Sequence, residues 1–116
     1  MNPNSDWDKR KIIAVDFDGT IVRDFWPNIG TIKQDVVEQM REEKDKGTYI
    51  IIWTCRSGED IQRMQDFLDK HDIPYDRINA NAPWILDAWK RDNRKIFAHE
   101  YIDDKATHVD DWIKED

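Results

Sequence analysis

The chain has 116 residues, of which 39% are hydrophobic and 37% charged, and its 18 basic against 25 acidic side chains give a net charge of −7. This length fits one domain with a substantial core, and the single cysteine excludes an internal disulfide. The acidic balance disfavours non-specific binding to nucleic acid or to an anionic membrane, because both need clustered basic side chains.

No apolar run is long enough for a transmembrane helix, and the N-terminus lacks the apolar segment of a secretory signal. We therefore expect a cytoplasmic protein that does not act at a membrane. Its polar N-terminal segment, residues 1–10, is expected to be flexible. The rest of the chain, 11–116, is expected to form a single domain.

The first half of the chain predicts two strands and two helices. Continuous apolar runs at 11–15 and 49–53 are typical of strands buried on both faces. Residues 32–46 predict a helix, with Thr31 and Gln34 as a capping box and Gly47 as its stop. Ser57 is expected to cap the second helix. The apolar positions of the two helices are Ile32, Val36 and Met40, and Ile61, Met64 and Leu68.

The second half predicts shorter elements. A third strand is expected around 75–79, with Asn79 and Asn81 serving the turn after it. A short helix over 84–92 and a fourth strand over 99–102 follow. The last ten residues are compatible with either a short strand or a short helix.

This alternation of strands and helices predicts a parallel sheet with helices on both faces, which is a three-layer α/β/α architecture. In such sheets, ligands bind beyond the carboxyl ends of the strands. The polar residues that follow the apolar runs are therefore the candidates for chemistry. They are Asp16 and Asp18, Thr54 and Arg56, and Asp103 and Asp104.

These strand ends would bring four carboxylates and a hydroxyl to one edge of the sheet. Carboxylates that lie so close raise each other's pKa unless a cation lies among them. Oxygen ligands without a His or Cys cluster favour a hard ion, for which Mg²⁺ is the best candidate. Gly19 permits a tight turn after the first strand, and exposed N–H groups at Gly19 and Thr20 could hold phosphoryl oxygens.

The sequence VDFDGTI at 15–21 resembles the first motif of the haloacid dehalogenase (HAD) superfamily, in which Asp-x-Asp-Gly-Thr follows a hydrophobic strand. The apolar run that ends at Thr54 resembles the second motif. The run that ends at Asp103 and Asp104 resembles the fourth, a hydrophobic strand followed by paired aspartates. The resemblance spans 11–105 and implies a HAD-like, Rossmann-like fold.

The resemblance also implies a phosphatase that hydrolyses a phosphate monoester through an aspartyl-phosphate. Asp16 would be the nucleophile, and Asp18 would protonate the leaving group and then activate water. Thr54 would hydrogen-bond the phosphoryl group. Mg²⁺ would bind Asp16, the backbone carbonyl of Asp18, and either Asp103 or Asp104.

The third motif of the family is a lysine, for which two positions remain open. Lys95 lies eight residues before Asp103, and a straight strand at about 3.3 Å per residue would separate them by about 26 Å. Lys95 can therefore reach the site only if the strand is short and 95–99 form a loop. Lys90 is the alternative, and Arg56 could supply part of the positive charge.

The segment 22–30 corresponds to a substrate-facing flap in the superfamily, so Trp26 is a candidate for lining the site. Neither the gap 21–31 nor the gap 55–94 has room for a cap domain, and an open site is expected. Capless relatives often act on large substrates or use a lid from a partner subunit, so an oligomer is possible. Basic side chains are expected near the rim and keep a nucleic-acid end among the candidate substrates. They are Arg91, Arg94, Lys95 and Lys105.

Two other classes of protein remain open. A receiver-type phospho-accepting domain has similar length and acidity, but its phosphorylated aspartate ends a central strand near mid-chain, where this sequence has Thr54. A non-catalytic phosphate-binding module would not need both Asp16 and Asp18. A cysteine phosphatase does not fit, because its arginine lies several residues after the cysteine, whereas Arg56 directly follows Cys55. We therefore expect Cys55 to be a packed small residue.

Overall fold

A computed structural model describes residues 10–113 of the chain. The N-terminal segment expected to be flexible lies outside the described residues, except for Arg10. Its Nε donates a hydrogen bond of 2.7 Å to the carbonyl of Gly47, and its guanidinium lies over the rings of Tyr49 and Trp84. Arg10 is therefore held against the fold.

Four parallel strands form one sheet in the spatial order β3-β2-β1-β4, which confirms the predicted parallel sheet. The strands are β1 (Ile12–Val15), β2 (Tyr49–Ile52), β3 (Arg77–Ile78) and β4 (Glu100–Ile102). In register, Val15 pairs with both Ile52 and Ile102, and Ile52 pairs with Ile78. The four strands therefore end at the same level, and the loops that follow them start from one edge.

The helices are α1 (Gln34–Asp45), α2 (Glu59–Lys70), α3 (Pro83–Trp89) and α4 (Val109–Trp112). α1 and α2 pack on one face of the sheet and α3 packs on the other, which confirms the three-layer architecture. The C-terminal tail contains a short helix, α4. From Arg10 to Ile113 no further domain interrupts these elements, and no helix in that range has the length and apolarity needed to cross a membrane.

Every side chain of β1 and β2 is buried, as their continuous apolar runs predict. Ile13 and Val15 point toward the core under α1 and α2. Ile12 and Ala14 point toward the core under α3. This alternation explains why neither strand contains a charged side chain: each strand contributes to two apolar layers.

The predicted capping box at the start of α1 is wrong. The helix begins at Gln34 with Lys33 as its N-cap, and no side chain caps it. The carbonyl of Thr31 instead accepts a hydrogen bond of 2.8 Å from the N–H of Arg23. This pairing holds the chain extended, so Ile32 precedes the helix rather than lying on its apolar face.

Other helix boundaries differ from the prediction in detail. Gly47 ends α1 as predicted, with φ at +92°, and it and the next residue donate back into the last helical turn in a Schellman motif. The predicted Ser57 cap of α2 is wrong, because Gly58 is the N-cap and no side chain bonds there. α3 ends before Lys90, which adopts a left-handed conformation.

Candidate active site

The site lies where the strand order of the sheet reverses. The chain forms β1, β2 and β3 in one direction and then returns to place β4 on the other side of β1. Parallel sheets bind ligands at such a point, beyond the carboxyl ends of the strands. The N–H of Asp16, directly after β1, donates to the carbonyl of Ile102 at 2.9 Å, so the residues after β4 begin beside Asp16.

An open pocket of about 340 Å³ occupies this edge. Its lining residues are Asp16, Asp18, Asp24, Trp26, Thr54, Cys55, Asp103, Asp104 and Lys105. The lining includes five carboxylates and one lysine, so the described wall is strongly negative. A larger groove of about 410 Å³ between α1 and β4 contains none of the predicted site residues. The smaller pocket is therefore the one lined by the predicted aspartates and by Thr54.

Three carboxylates form a cluster with the donor set of a hard cation. Oxygen atoms of Asp16, Asp103 and Asp104 lie within 4.8 Å of one another. Burial raises the pKa of Asp16 to about 6, and the neighbouring carboxylates, Asp103 first, add to this rise. A hydrogen bond of 3.2 Å from the Thr20 hydroxyl opposes it. Because the cluster contains only oxygen donors and its charges repel, the residues present fit Mg²⁺.

Gly19 brings the turn after β1 against the second aspartate of the β4 motif. Its φ is +91°, and a Cβ at this position would collide with the carboxylate of Asp104. The tight turn predicted at Gly19 is therefore present, and it brings the backbone against a carboxylate of the cluster.

The N–H groups predicted to hold phosphate are used differently. Those of Gly19 and Thr20 donate to the carbonyls of Val22 and Phe17, at 2.8 and 3.2 Å, and so close the turn on itself. The N–H groups of Phe17 and Asp18 donate to no group within the described range. Within the described range, the free backbone N–H groups nearest Asp16 are therefore those of Phe17 and Asp18. The sequence had predicted those of Gly19 and Thr20 instead.

Asp18 is held by a buried arginine. Nε and Nη2 of Arg56 donate to its two carboxylate oxygens at 2.8 and 2.7 Å. The Arg56 side chain has no exposed surface, whereas 18% of the Asp18 side chain is exposed. The structure thus contradicts the expectation that Arg56 offers its charge to a phosphoryl group, because the charge is already paired.

The flap is a short hairpin, and it is attached to the same arginine. Residues 22–32 are closed by an antiparallel bridge between their ends. Nη1 of Arg56 donates to the carbonyl of Pro27 at 3.2 Å and Nη2 to that of Asn28 at 3.1 Å. The ring of Trp26 lies 4.8 Å from the guanidinium carbon. Trp26 lines the pocket, where the sequence placed it.

Thr54 is fixed by a side chain that sequence reasoning assigned only to a turn. Asn79, directly after β3, makes two hydrogen bonds with the backbone of Thr54. The Thr54 hydroxyl oxygen accepts from the N–H of Arg56 at 3.1 Å, so its hydrogen is left to donate into the pocket. The only sequence signal for Asn79 was its position after a strand.

The family lysine stays a prediction. β4 is short and a loop precedes it, which meets the condition for Lys95, but its ammonium lies 5.6 Å from the ring centre of Tyr101. Neither Lys95 nor Lys90 lines the pocket, whereas Lys105 does. The ammonium of Lys105 lies 3.2 Å from a carboxylate oxygen of Asp104.

Two further predictions are corrected. Cys55 is exposed and lines the pocket, because it follows β2 in the loop rather than lying within the strand. Asn81 is buried, and it ties down the loop before β4 instead of serving a turn. It donates to Asp92 at 2.9 Å and accepts from the N–H of Phe97 at 2.7 Å.

Comparison with known proteins identifies the family. A solved structure of a conserved protein from Bacteroides thetaiotaomicron is 28% identical, with a TM-score of 0.74 over 91% of this chain and 83% of that one. A chain of the Pnkp1/Rnl/Hen1 RNA repair complex is 18% identical, with a TM-score of 0.53 over 81% and 43%, and shows the fold alone. No curated protein matches. The family described as haloacid dehalogenase-like hydrolase matches residues 13–115, and the chain belongs to it.

Proposed function

We propose that this hydrolase is a Mg²⁺-dependent phosphatase that cleaves a phosphate monoester through an aspartyl-phosphate on Asp16. One observation carries the proposal: the carboxylates of Asp16, Asp103 and Asp104 converge within 4.8 Å in a pocket that Asp18 and Thr54 also line. Family membership supports a hydrolase and favours it over the receiver-like alternative.

Asp16, Asp103 and Asp104 are the residues that would hold Mg²⁺, with the backbone carbonyl of Asp18 as a further ligand. When bound, the ion neutralises the charge of the carboxylates and of the phosphoryl group. The Asp18 carboxylate itself would not bind the ion, because both of its oxygens accept hydrogen bonds from Arg56. Each Asp18 oxygen keeps a second lone pair besides the one that accepts from Arg56, and this lone pair would take the proton that Asp18 transfers.

The first step is attack of an Asp16 carboxylate oxygen on phosphorus. The bond to the leaving-group oxygen breaks, and the carboxyl of Asp18 gives that oxygen its proton. In this proposal the Thr54 hydroxyl and the N–H groups of Phe17 and Asp18 would donate to the phosphoryl oxygens.

In the second step, Asp18 takes a proton from water as the water oxygen attacks phosphorus. The acyl-phosphate bond breaks, inorganic phosphate leaves, and the Asp16 carboxylate is restored. Asp18 therefore returns to the protonation state in which it began.

The substrate is a phosphate monoester that an open pocket can admit. Only the 22–32 hairpin and no cap covers the described site, so a phosphate on a large molecule can reach Asp16. A partner subunit that supplies a lid is compatible with the same opening. The negative wall disfavours polyanionic substrates such as nucleic acid.

The test is hydrolysis of 4-nitrophenyl phosphate with Mg²⁺, extended to sugar, nucleotide and protein phosphates. We expect turnover that Asp16→Asn abolishes and that Asp45→Asn, on the exposed end of α1, leaves unchanged. Turnover that survives Asp16→Asn would contradict the proposed nucleophile. Absence of turnover on every ester, with phosphate still bound, would favour the non-catalytic phosphate-binding module.

A further inference from the structure

We propose that Arg56 is a positioning residue that couples the flap, residues 22–32, to Asp18. The Asp18 carboxylate would then be oriented for proton transfer only while the flap contacts Arg56. The inference rests on the proposed phosphatase function. It assigns Arg56 a role different from the phosphoryl contact that the sequence suggested.

The geometry of Arg56 is that of a holder and not of a substrate contact. Its guanidinium uses Nε and Nη2 on the two oxygens of Asp18, and its side chain has no surface open to the pocket. A planar two-point contact fixes the plane of the carboxylate as well as its position. A lysine can supply the charge but cannot reproduce this fork.

The flap contacts the other atoms of the same group. The carbonyls of Pro27 and Asn28 accept from Nη1 and Nη2. The guanidinium carbon also lies over two rings, 5.3 Å from the centre of Phe17 and 4.8 Å from the centre of Trp26. Movement of the flap therefore removes two acceptors and one stacking partner from the group that orients Asp18.

Displacement of Asp18 should affect the step in which Asp18 protonates the leaving group. An alkoxide leaving group needs that proton as its bond to phosphorus breaks, whereas 4-nitrophenolate leaves without it. kcat/KM reports the steps up to formation of the aspartyl-phosphate. A misplaced Asp18 should therefore lower kcat/KM for an alkyl ester and spare the 4-nitrophenyl ester.

The experiment compares kcat/KM for benzyl phosphate and 4-nitrophenyl phosphate in the wild type and in Arg56→Lys. We expect the benzyl ester to lose at least about tenfold more than the nitrophenyl ester, because general-acid catalysis contributes on the order of a hundredfold or more. Arg63→Lys, an exposed arginine of α2 that pairs with Asp60, is the matched control and should leave the ratio unchanged.

Trp26→Leu is the second variant, because it removes the stacking partner at an exposed position and leaves the buried ion pair intact. Since both esters contain an aromatic ring, loss of ring contacts cancels in the ratio. We expect a smaller shift in the same direction. Hydrogen exchange of the flap amides should be faster in Arg56→Lys than in the wild type, with α2 unchanged.

The outcomes separate the two claims. Wild-type protein that hydrolyses neither ester overturns the proposed function and this inference with it. Wild-type protein that hydrolyses both, with an unchanged ratio in Arg56→Lys and Trp26→Leu, overturns the positioning role and leaves the phosphatase standing. Equal losses on the two esters would mean that Arg56 is structural only.

Discussion

Asn79 and Thr54 are joined by two hydrogen bonds of 2.8 Å, one in each direction. The N–H of Thr54 donates to the Asn79 side-chain oxygen, and the Asn79 amide nitrogen donates to the Thr54 carbonyl. The side chain thus continues the pairing of β2 with β3 beyond the point where both strands end. Asn79 has φ at +51°, a conformation that asparagine adopts more readily than most residues.

Asn79→Asp should lower kcat by about tenfold or more, because small displacements of a phosphate-binding group are costly. The aspartate can keep the acceptor for the Thr54 N–H and tolerates the left-handed backbone, but it loses the donor to the Thr54 carbonyl. Steady-state kinetics on 4-nitrophenyl phosphate measure this. Asn93→Asp, in the loop between α3 and β4, is the control, and equal effects of the two variants would contradict the role of Asn79.

Gly19→Ala and Gly47→Ala form a matched pair, because the two glycines have φ of +91° and +92°. Each alanine should cost about 1–2 kcal/mol of unfolding free energy for the left-handed backbone. Only Gly19→Ala meets a side chain, the carboxylate of Asp104, while the space around Gly47 is open. We expect Mg²⁺-dependent activity to fall in Gly19→Ala alone. Urea unfolding and a Mg²⁺ titration give the two readouts.

Asp16→Asn should stabilise the metal-free protein at neutral pH. Burial and neighbouring carboxylates raise the pKa of Asp16 from 3.8 to about 6, so the folded chain holds this proton more tightly than the unfolded chain. Ionisation of Asp16 therefore costs stability, and that cost is absent below pH 3.8 and grows until about pH 6.

The rise in the pKa of Asp16 sets an upper limit of about 3 kcal/mol, which solvent screening of a half-buried carboxylate reduces to about 1 kcal/mol. Urea unfolding in EDTA should show Asp16→Asn more stable than the wild type at pH 7.5 and equal to it near pH 3.5. A variant that is less stable at pH 7.5 would contradict the repulsion within the cluster.

Mg²⁺ should raise the thermal stability of the wild type, because an ion that binds only the folded chain stabilises it by mass action. Loss of a cluster carboxylate in Asp16→Asn or Asp104→Asn should remove most of this gain. Asp24→Asn changes a carboxylate that lines the pocket outside the cluster and should retain it. Differential scanning calorimetry with and without Mg²⁺ distinguishes these outcomes, and an equal loss in all three variants would point to non-specific charge effects.

The main features of the site were predictable because of a geometric rule. Asp16, Thr54 and Asp103 follow strands whose ends lie in register, and parallel strands place their carboxyl ends along one edge. Periodicity and buried runs suffice to find such strands. The order of the motifs along the chain therefore already implied that these residues meet.

The contacts that orient the site were not predictable in the same way. Arg56 reaches Asp18 across 38 residues and Asn79 reaches Thr54 across 25, and neither spacing has a periodic signature. Thr31 has the sequence of a helix cap, but pairing with Arg23 in the flap hairpin uses its backbone first. In each case the geometry is set by a tertiary contact and not by a local sequence pattern.

The central claim is that Asp16 becomes phosphorylated during turnover. Rapid quenching of the enzyme with a phosphate monoester and Mg²⁺, followed by borohydride reduction, converts an aspartyl-phosphate side chain to that of homoserine. Mass spectrometry of the peptide that contains residues 12–23 should locate this change at Asp16 in the wild type and find none in Asp16→Asn. Steady turnover without reduction at Asp16, or with reduction at another aspartate, would contradict the account.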